Sequence, residues 1–192
     1  VVSLGNALYS PTQDGSRDIA IDQIIPENVL GKQYIFVRGR GTNDSYEFAV
    51  IVATQNNTEI YVNGDSTNAP SIDAGEYYIV SGSNYPSDDP GANMLVQTSK
   101  EAYAYQSTAG ANSGANVDYN FVAPVNFLLD SEVDFIPEIS DGFPSSGFSG
   151  GVSIISAAST ASSVILTEDG DTVSPLTASP VTGTSDWVTF YK

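Results

Sequence analysis

The chain is 192 residues long and carries 23 acidic against 6 basic residues, for a net charge of −17, with no histidine and no cysteine. That balance argues against nucleic acid and anionic lipid as partners, because binding either rests on neutralising phosphate with cations. The missing residue types exclude thiol chemistry, disulfides, zinc sites of the usual ligands, and Ser-His or Cys-His catalysis.

This length suits one domain or two smaller ones, and a fold of this size buries enough surface to need no covalent staple. No apolar run approaches the ~20 residues of a membrane-spanning helix. The first residues, VVSLGNALYS, lack a charged leader region and a cleavage site, so the piece reads as soluble and either mature or excised. Seventeen Gly and ten Pro, beside abundant Ser, Thr and Asn and a single Met, point to an all-β protein with a wet surface.

In chain order, VVSLGNALYS alternates loosely and is closed by a turn cluster with Asp14-Gly15. Asp18 to Ile25 alternates again until Pro26, and QYIFVRG (33–39) reads as a strand closed by glycines. EFAVIVATQNNTEIYVNG (47–64) reads as a hairpin: Phe48, Val50 and Val52 form one arm, Gln55 to Thr58 the turn, and Ile60 and Val62 the other arm. Its first arm, FAVIVA, is apolar at nearly every position and so belongs inside a sheet with both faces covered. A strand centred on EYYIVSG (76–82) follows, then the acidic turn SNYPSDDPGAN. MLVQTS (94–99) and EAYAYQS (101–107) read as two further strands, and AGANSGAN (109–116) as a linker of small residues. No window holds a sustained 3.6-residue apolar period, so no helix of consequence is expected.

Beyond the linker the pattern restarts. Pro26-Glu27-Asn28-Val29-Leu30 recurs as Pro124-Val125-Asn126-Phe127-Leu128, YIFV loosely as the strand around Val133 to Ile136, and VIVA (50–53) as SIIS (153–156). IYV (60–62) matches VIL (164–166), Gly64-Asp65-Ser66-Thr67 matches Gly170-Asp171-Thr172-Val173, and EYYIV matches DWVTF (186–190). The order is kept while the spacings drift as loop insertions would make them. EAYAYQS lies about as far ahead of Pro124 as VVSLGNALYS lies ahead of Pro26. This divides the chain into the last strand of a preceding unit with its linker (1–16), a first β repeat (17–108), a linker (109–116) and a second, incomplete repeat (117–192). An unfilled sheet edge invites aggregation, so the second repeat is expected to be completed by another segment or a continuing chain. The expected architecture is two tandem antiparallel β-sandwich-like repeats; the alternative is a β-propeller-like ring, whose closure also places a last strand first.

Several residues are candidates for chemistry. Asp88 and Asp89, with Asn84 and Asn93 nearby, offer the loop oxygens that calcium takes, although no EF-hand spacing is present and a solvated acidic turn fits better. Glu132 and Asp134 stand two apart on one expected strand face, a pairing seen in glycosidases and also on the wet side of any sheet. With no second acidic motif and no histidine, the chain reads as non-catalytic. Tyr103 and Tyr105 alternate with Ala102 and Ala104 and so share a face, an aromatic row of the kind on which sugar rings stack, although aromatic side chains at strand period more often belong to the core.

The series LGKQY (30–34), VAT (52–54) with Thr58 and Ile60, and TSK (98–100) followed by AYAY (102–105) resembles the IgGFc-binding protein N-terminal domain family, with Glu101 standing where a proline is usual. The second copy departs further, with Leu129-Asp130 for Leu-Gly and Ser156-Ala157 for Ala-Thr. The resemblance implies a non-catalytic extracellular module of a large surface protein, such as the adhesin-like and gliding-associated proteins of Bacteroidota. Such a module would present loops to a glycan or protein ligand and contact neighbouring repeats of its own chain. The alternatives are a carbohydrate-binding module and a structural spacer. In that setting the Asp-Ser/Thr tripeptides at Asp65-Ser66-Thr67 and Asp171-Thr172-Val173 resemble O-glycan acceptors, with Ser66 and Thr172 as the modified residues, and ordinary turn chemistry is the other reading.

Overall fold

The computed structural model describes residues 2–3, 22–23, 25–41, 43–108, 118–127, 151–168 and 170–192. In chain order the strands are β1 (Val2–Ser3), β2 (Asp22–Gln23), β3 (Gly31–Val37), β4 (Phe48–Ala53), β5 (Thr58–Val62), β6 (Ser71–Ile72) and β7 (Tyr77–Val80). They continue with β8 (Asn93–Thr108), β9 (Asp118–Phe121), β10 (Ser153–Ala157), β11 (Thr167–Glu168), β12 (Asp171–Thr172), β13 (Ser179–Pro180) and β14 (Trp187–Tyr191). All the ladders are antiparallel, and among the described residues the helical segments are short 3-10 turns, so the fold is all-β. The strand expected around Val133 to Ile136, the pair Glu132 and Asp134, and the linker at 109–116 lie outside the described residues.

The sheet is organised around β8, a single strand of 16 residues where two were expected. Its first half pairs with β3 on one edge and β5 on the other; its second half pairs with β9 and β4. A strand with four partners joins two sheets, and seven strands thereby curl into a nearly closed, barrel-like unit. The middle of β8 is where the two halves change direction. There β3 advances from Gly31 to Gln33 while β8 runs from Ala102 to Gln97, so residues 98–101 bulge out of the ladder.

The expected hairpin at 47–64 is not one. Both β4 and β5 run antiparallel to β8, with Ala53 opposite Ala102 and Ile60 opposite Thr98, so they point the same way and lie end to end along one edge. The polar stretch at 54–57 is a loop budding from this interrupted strand. It is pinned there by bonds from the Thr54 hydroxyl to Glu101 O at 2.6 Å and from the Glu59 N–H to Ser99 Oγ at 2.9 Å. The reading of FAVIVA as an interior strand holds, since β4 is flanked by β7 and β8, but its two faces are not both covered: Phe48, Ala49, Ile51 and Ala53 are buried, whereas Val50 and Val52 are only half-buried on the outer face.

The core inside the curled sheet contains Tyr34 and Phe36 from β3, Ala49 and Ile51 from β4, Ile60, Val80, Tyr85, and Met94, Val96, Ala102 and Ala104 along β8. On the opposite side of β3 and β8, Ile35 and Leu95 pair across strands and are covered by Val181, Ile155 and Trp187. These come from a second sheet with strand order β10-β14-β13. This explains why YIFV is an unbroken apolar run: successive side chains enter two different cores, each fully buried aliphatic contributing about 1.5–3 kcal/mol. Asn93 joins the layers, its amide donating to Thr189 Oγ1 at 2.8 Å and to Pro180 O at 3.2 Å. Two turns also touch: a Cβ on Gly64 would lie 3.1 Å from the Gly183 Cα, and both glycines have positive φ.

The Tyr34 hydroxyl holds the bulge in β8. It accepts the Gly31 N–H at 3.1 Å and lies 2.7 Å from Gly31 O and 2.5 Å from Ala102 O, its single proton serving one carbonyl at a time. Burial pushes its pKa up to about 12, with the hydrogen bonds to Gly31 and Ala102 pulling the other way. A raised phenol pKa means that the fold favours the neutral form. The resulting stability is whole below the unfolded value near 10 and is lost as pH rises through 12, a loss of about 3 kcal/mol from this group. Tyr34→Phe is expected to cost about 1–3 kcal/mol in chemical denaturation at neutral pH and to make the alkaline loss shallower than in the parent chain.

Candidate functional site

Buried ionisable groups are the first place to look for chemistry. Arg38, next after β3, and Glu47, next before β4, are both buried. Glu47 accepts the Gly39 N–H at 3.0 Å and the Gly41 N–H at 2.8 Å. A Cβ at Gly41 would sit 2.5 Å from Glu47 Oε1, which is why this loop carries glycine. Arg38 Nη1 pairs with Asp44 at 2.7 Å, Nη2 faces Asp88 at 3.5 Å, and the guanidinium lies 5.7 Å from the Tyr85 ring centre. Burial, then the charge of Glu47, push the Tyr85 pKa far up, with Arg38 opposing. The cluster binds the loop between β3 and β4 to the acidic turn after β7, and its carboxylates are committed to protein partners. It braces this end of the barrel.

That brace decides the local role of one predicted ligand. Asp88 faces Arg38, while the Asp89 N–H donates to Ser87 Oγ at 3.4 Å and its carbonyl accepts from Ala92 at 3.2 Å. Among the described residues no three acidic side chains converge as a metal cage would require.

Tyr103 and Tyr105 lie where their alternation places them. Ala102 and Ala104 fill the core, so the tyrosines occupy the outer face of β8, with ring centroids 6.5 Å apart and planes 15° from parallel. Tyr105 also meets Phe121 of β9 edge-on, at 6.0 Å and 75°. Pairing extends this surface across the sheet. Tyr103 is opposite Val52, which is opposite Tyr77; Tyr105 is opposite Val50, which is opposite Ile79. Directly opposed residues share a face, so these side chains form an aromatic and aliphatic patch on β7, β4 and β8. Tyr77 is 63% exposed and the others are half-buried. The sequence reading missed Tyr77, Val50 and Val52 as members, because their place beside the tyrosines depends on strand order. The doubled Tyr77-Tyr78 in a short strand was the available signal.

Ser66 and Thr172 are both exposed, and each follows a positive-φ glycine, Gly64 or Gly170. Beside Ser66, Asp65 accepts the Thr67 N–H at 2.8 Å and the Thr67 hydroxyl at 2.6 Å, bonds that hold its carboxyl below its ordinary pKa. Thr172 belongs to a two-residue β-hairpin in which it pairs with Thr167.

A rigid all-β scaffold with an exposed aromatic patch, and buried charges spent on bracing loops, describes a binding-type module. The chain belongs to the IgGFc binding protein family, whose model matches residues 1–191. This is a binding-type and typically extracellular family, not one known for catalysis. No curated protein and no solved structure matches the chain. Among the described residues no helix is long and apolar enough to cross a membrane.

Glu47 offers a direct check of the brace. Glu47→Gln keeps one acceptor and turns an amide N–H toward a backbone N–H, so a loss of about 1–3 kcal/mol is expected in urea denaturation at neutral pH. Proteolysis within residues 38–47 is expected to accelerate in the same variant.

Proposed function

We propose that this chain is a non-catalytic module of a bacterial surface protein that holds an extracellular protein ligand against the patch formed by Tyr77, Tyr103, Tyr105, Val50 and Val52. The observation that carries this reading is the patch itself: tyrosines on β7 and β8 flanking the valines of β4, on three hydrogen-bonded strands above a packed core. Tyrosine gives large contact area at low entropic cost, and a rigid sheet spares the ordering that a loop would require. Family membership supports a protein as the ligand. The nearly parallel rings of Tyr103 and Tyr105 favour a sugar platform as the second reading.

The module further reads as two copies of one β unit. Three pairs of features support this. Pro26 and Pro124 each open a 3-10 turn, with bonds from Val29 N to Pro26 O and from Phe127 N to Pro124 O. The ladders β4/β7 and β10/β14 are both antiparallel, and Gly64 and Gly170 both take positive φ at turns. The exposed hydroxyls of Ser66 and Thr172 support their reading as O-glycan acceptors in the native host. There, intact mass is expected to exceed the 20.2 kDa of the polypeptide, with the excess lost from the Ser66→Ala, Thr172→Ala double variant.

The binding test uses surface plasmon resonance with the chain immobilised and immunoglobulin Fc, then a panel of extracellular-matrix proteins, as analytes. A saturable response weakened about tenfold or more by the Tyr77→Ala, Tyr103→Ala double variant is expected, as for loss of a hot spot. Binding that survives that variant in full would remove the patch. Absence of any binding would favour a spacer, whereas competition by a soluble glycan for the same face would select the sugar platform.

A further inference from the structure

Around the barrel from the tyrosine patch, on the outer side of β3, β8 and β5, lies a different kind of surface. Gln33 of β3 is opposite Gln97 of β8, which is opposite Tyr61 of β5. The three side chains therefore stand in one row across three strands. Lys32, Thr98 and the turn residues Gly64 and Ser66 complete the lining of an open depression of about 460 Å³. That volume falls within the range of small-molecule sites. Gln33, Gln97 and Tyr61 are half-buried, while Lys32 and Ser66 are exposed at the rim.

The polar groups here are unspent. Among the described residues, no side-chain hydrogen bond engages Lys32, Gln33, Gln97 or Ser66. The Tyr61 hydroxyl is the exception, donating to Glu59 at 2.6 Å, a bond that fixes the ring beside the two amides. Elsewhere this protein does commit its long polar side chains: Gln106 donates to Val37 O, and Asn63 engages both Leu95 N and Asn84 O.

From this row of free amides beside a fixed aromatic ring, we propose that the depression binds a neutral saccharide. A primary amide both donates and accepts, and two amides side by side present the mixture that a pair of adjacent sugar hydroxyls presents in return. A carboxylate or phosphate would use the donors alone, and the net charge of −17 repels a polyanion at long range. A metal cation would want several oxygens and would meet Lys32 at the rim. The Tyr61 ring supplies the flat apolar surface on which the C–H face of a pyranose rests. The site is separate from the tyrosine patch, since odd-numbered Gln97 belongs to the half of β8 flanked by β3 and β5, whereas Tyr103 and Tyr105 belong to the half flanked by β4.

The test is a titration of the isotopically labelled chain with D-glucose, D-galactose, D-mannose and N-acetyl-D-glucosamine, with D-glucuronic acid as the charged comparison. At least one neutral sugar is expected to shift the side-chain amide signals of Gln33 and Gln97 saturably. The Gln33→Ala, Gln97→Ala variant, checked for an unchanged thermal transition, is expected to bind about tenfold or more weakly, a change of about 1.4 kcal/mol. Sugar-induced shifts at Gln33, Gln97 and Tyr61, with the ring signals of Tyr103 and Tyr105 unmoved, are expected and separate this site from the tyrosine patch. No saturable shift of the two amides with any neutral sugar, or a preference for glucuronic acid, would overturn the proposal; the wild-type shifts decide it even should the glutamine variant unfold.

Discussion

The structure depends on one strand bending without breaking. Strand β8 cannot serve both sheets unless its middle leaves the ladder, and a bulge of residues 98–101 would by itself leave backbone groups unpaired inside a protein. The Tyr34 hydroxyl meets that demand from the side, reaching Ala102 O across the gap while accepting from Gly31. Thr54 and Ser99 meet it from the other edge, through Glu101 O and the Glu59 N–H. With the bend fixed, the N-terminal half of β8 faces the second sheet and the C-terminal half carries the tyrosines. One geometric device thus sets apart the half that packs against the second sheet and the half that displays the tyrosines.

Two further devices hold what the bend positions. At one end, Arg38 and Glu47 draw the β3–β4 loop and the acidic turn onto the barrel, using backbone N–H groups of Gly39 and Gly41 as donors. Charges this deeply placed persist because the carboxylate of Glu47 accepts two such bonds and Arg38 has a carboxylate partner. Between the layers, Asn93 and the close approach of Gly64 to Gly183 fix the second sheet against β8. Neither contact tolerates bulk, so the layers are matched by shape as well as by apolar area.

Much of this was legible in the sequence, and the misses have a common cause. Alternation of Ala102, Tyr103, Ala104 and Tyr105 correctly put the tyrosines on one face and the alanines on the other, because the pleat alone decides that, but the preference of aromatic rows for the core pointed to the wrong face as the buried one. The unbroken FAVIVA correctly signalled an interior strand. The polar residues at 55–57, however, are equally compatible with a hairpin turn and with a loop budding from a continuing strand; only the distant partner β8 distinguishes them, and no local pattern encodes a partner some forty residues on. Likewise Ser99-Lys100-Glu101 read as the break between two strands, when its polarity accompanies a bulge within one. The tie between Asp88 and Arg38, and the row Gln33, Gln97, Tyr61, also arise from strand order, which a local reading does not supply.

The small-large alternation along the C-terminal half of β8 makes the strand tolerant on one side and strict on the other. Ala102 and Ala104 are fully buried, and a bulkier residue at either would wedge the interior apart. The tyrosines between them can be exchanged with little disturbance to folding. A lineage of such modules can therefore change the character of this outer surface by drifting at every second position while its architecture stays fixed, much as a printing block keeps its frame when the type is reset.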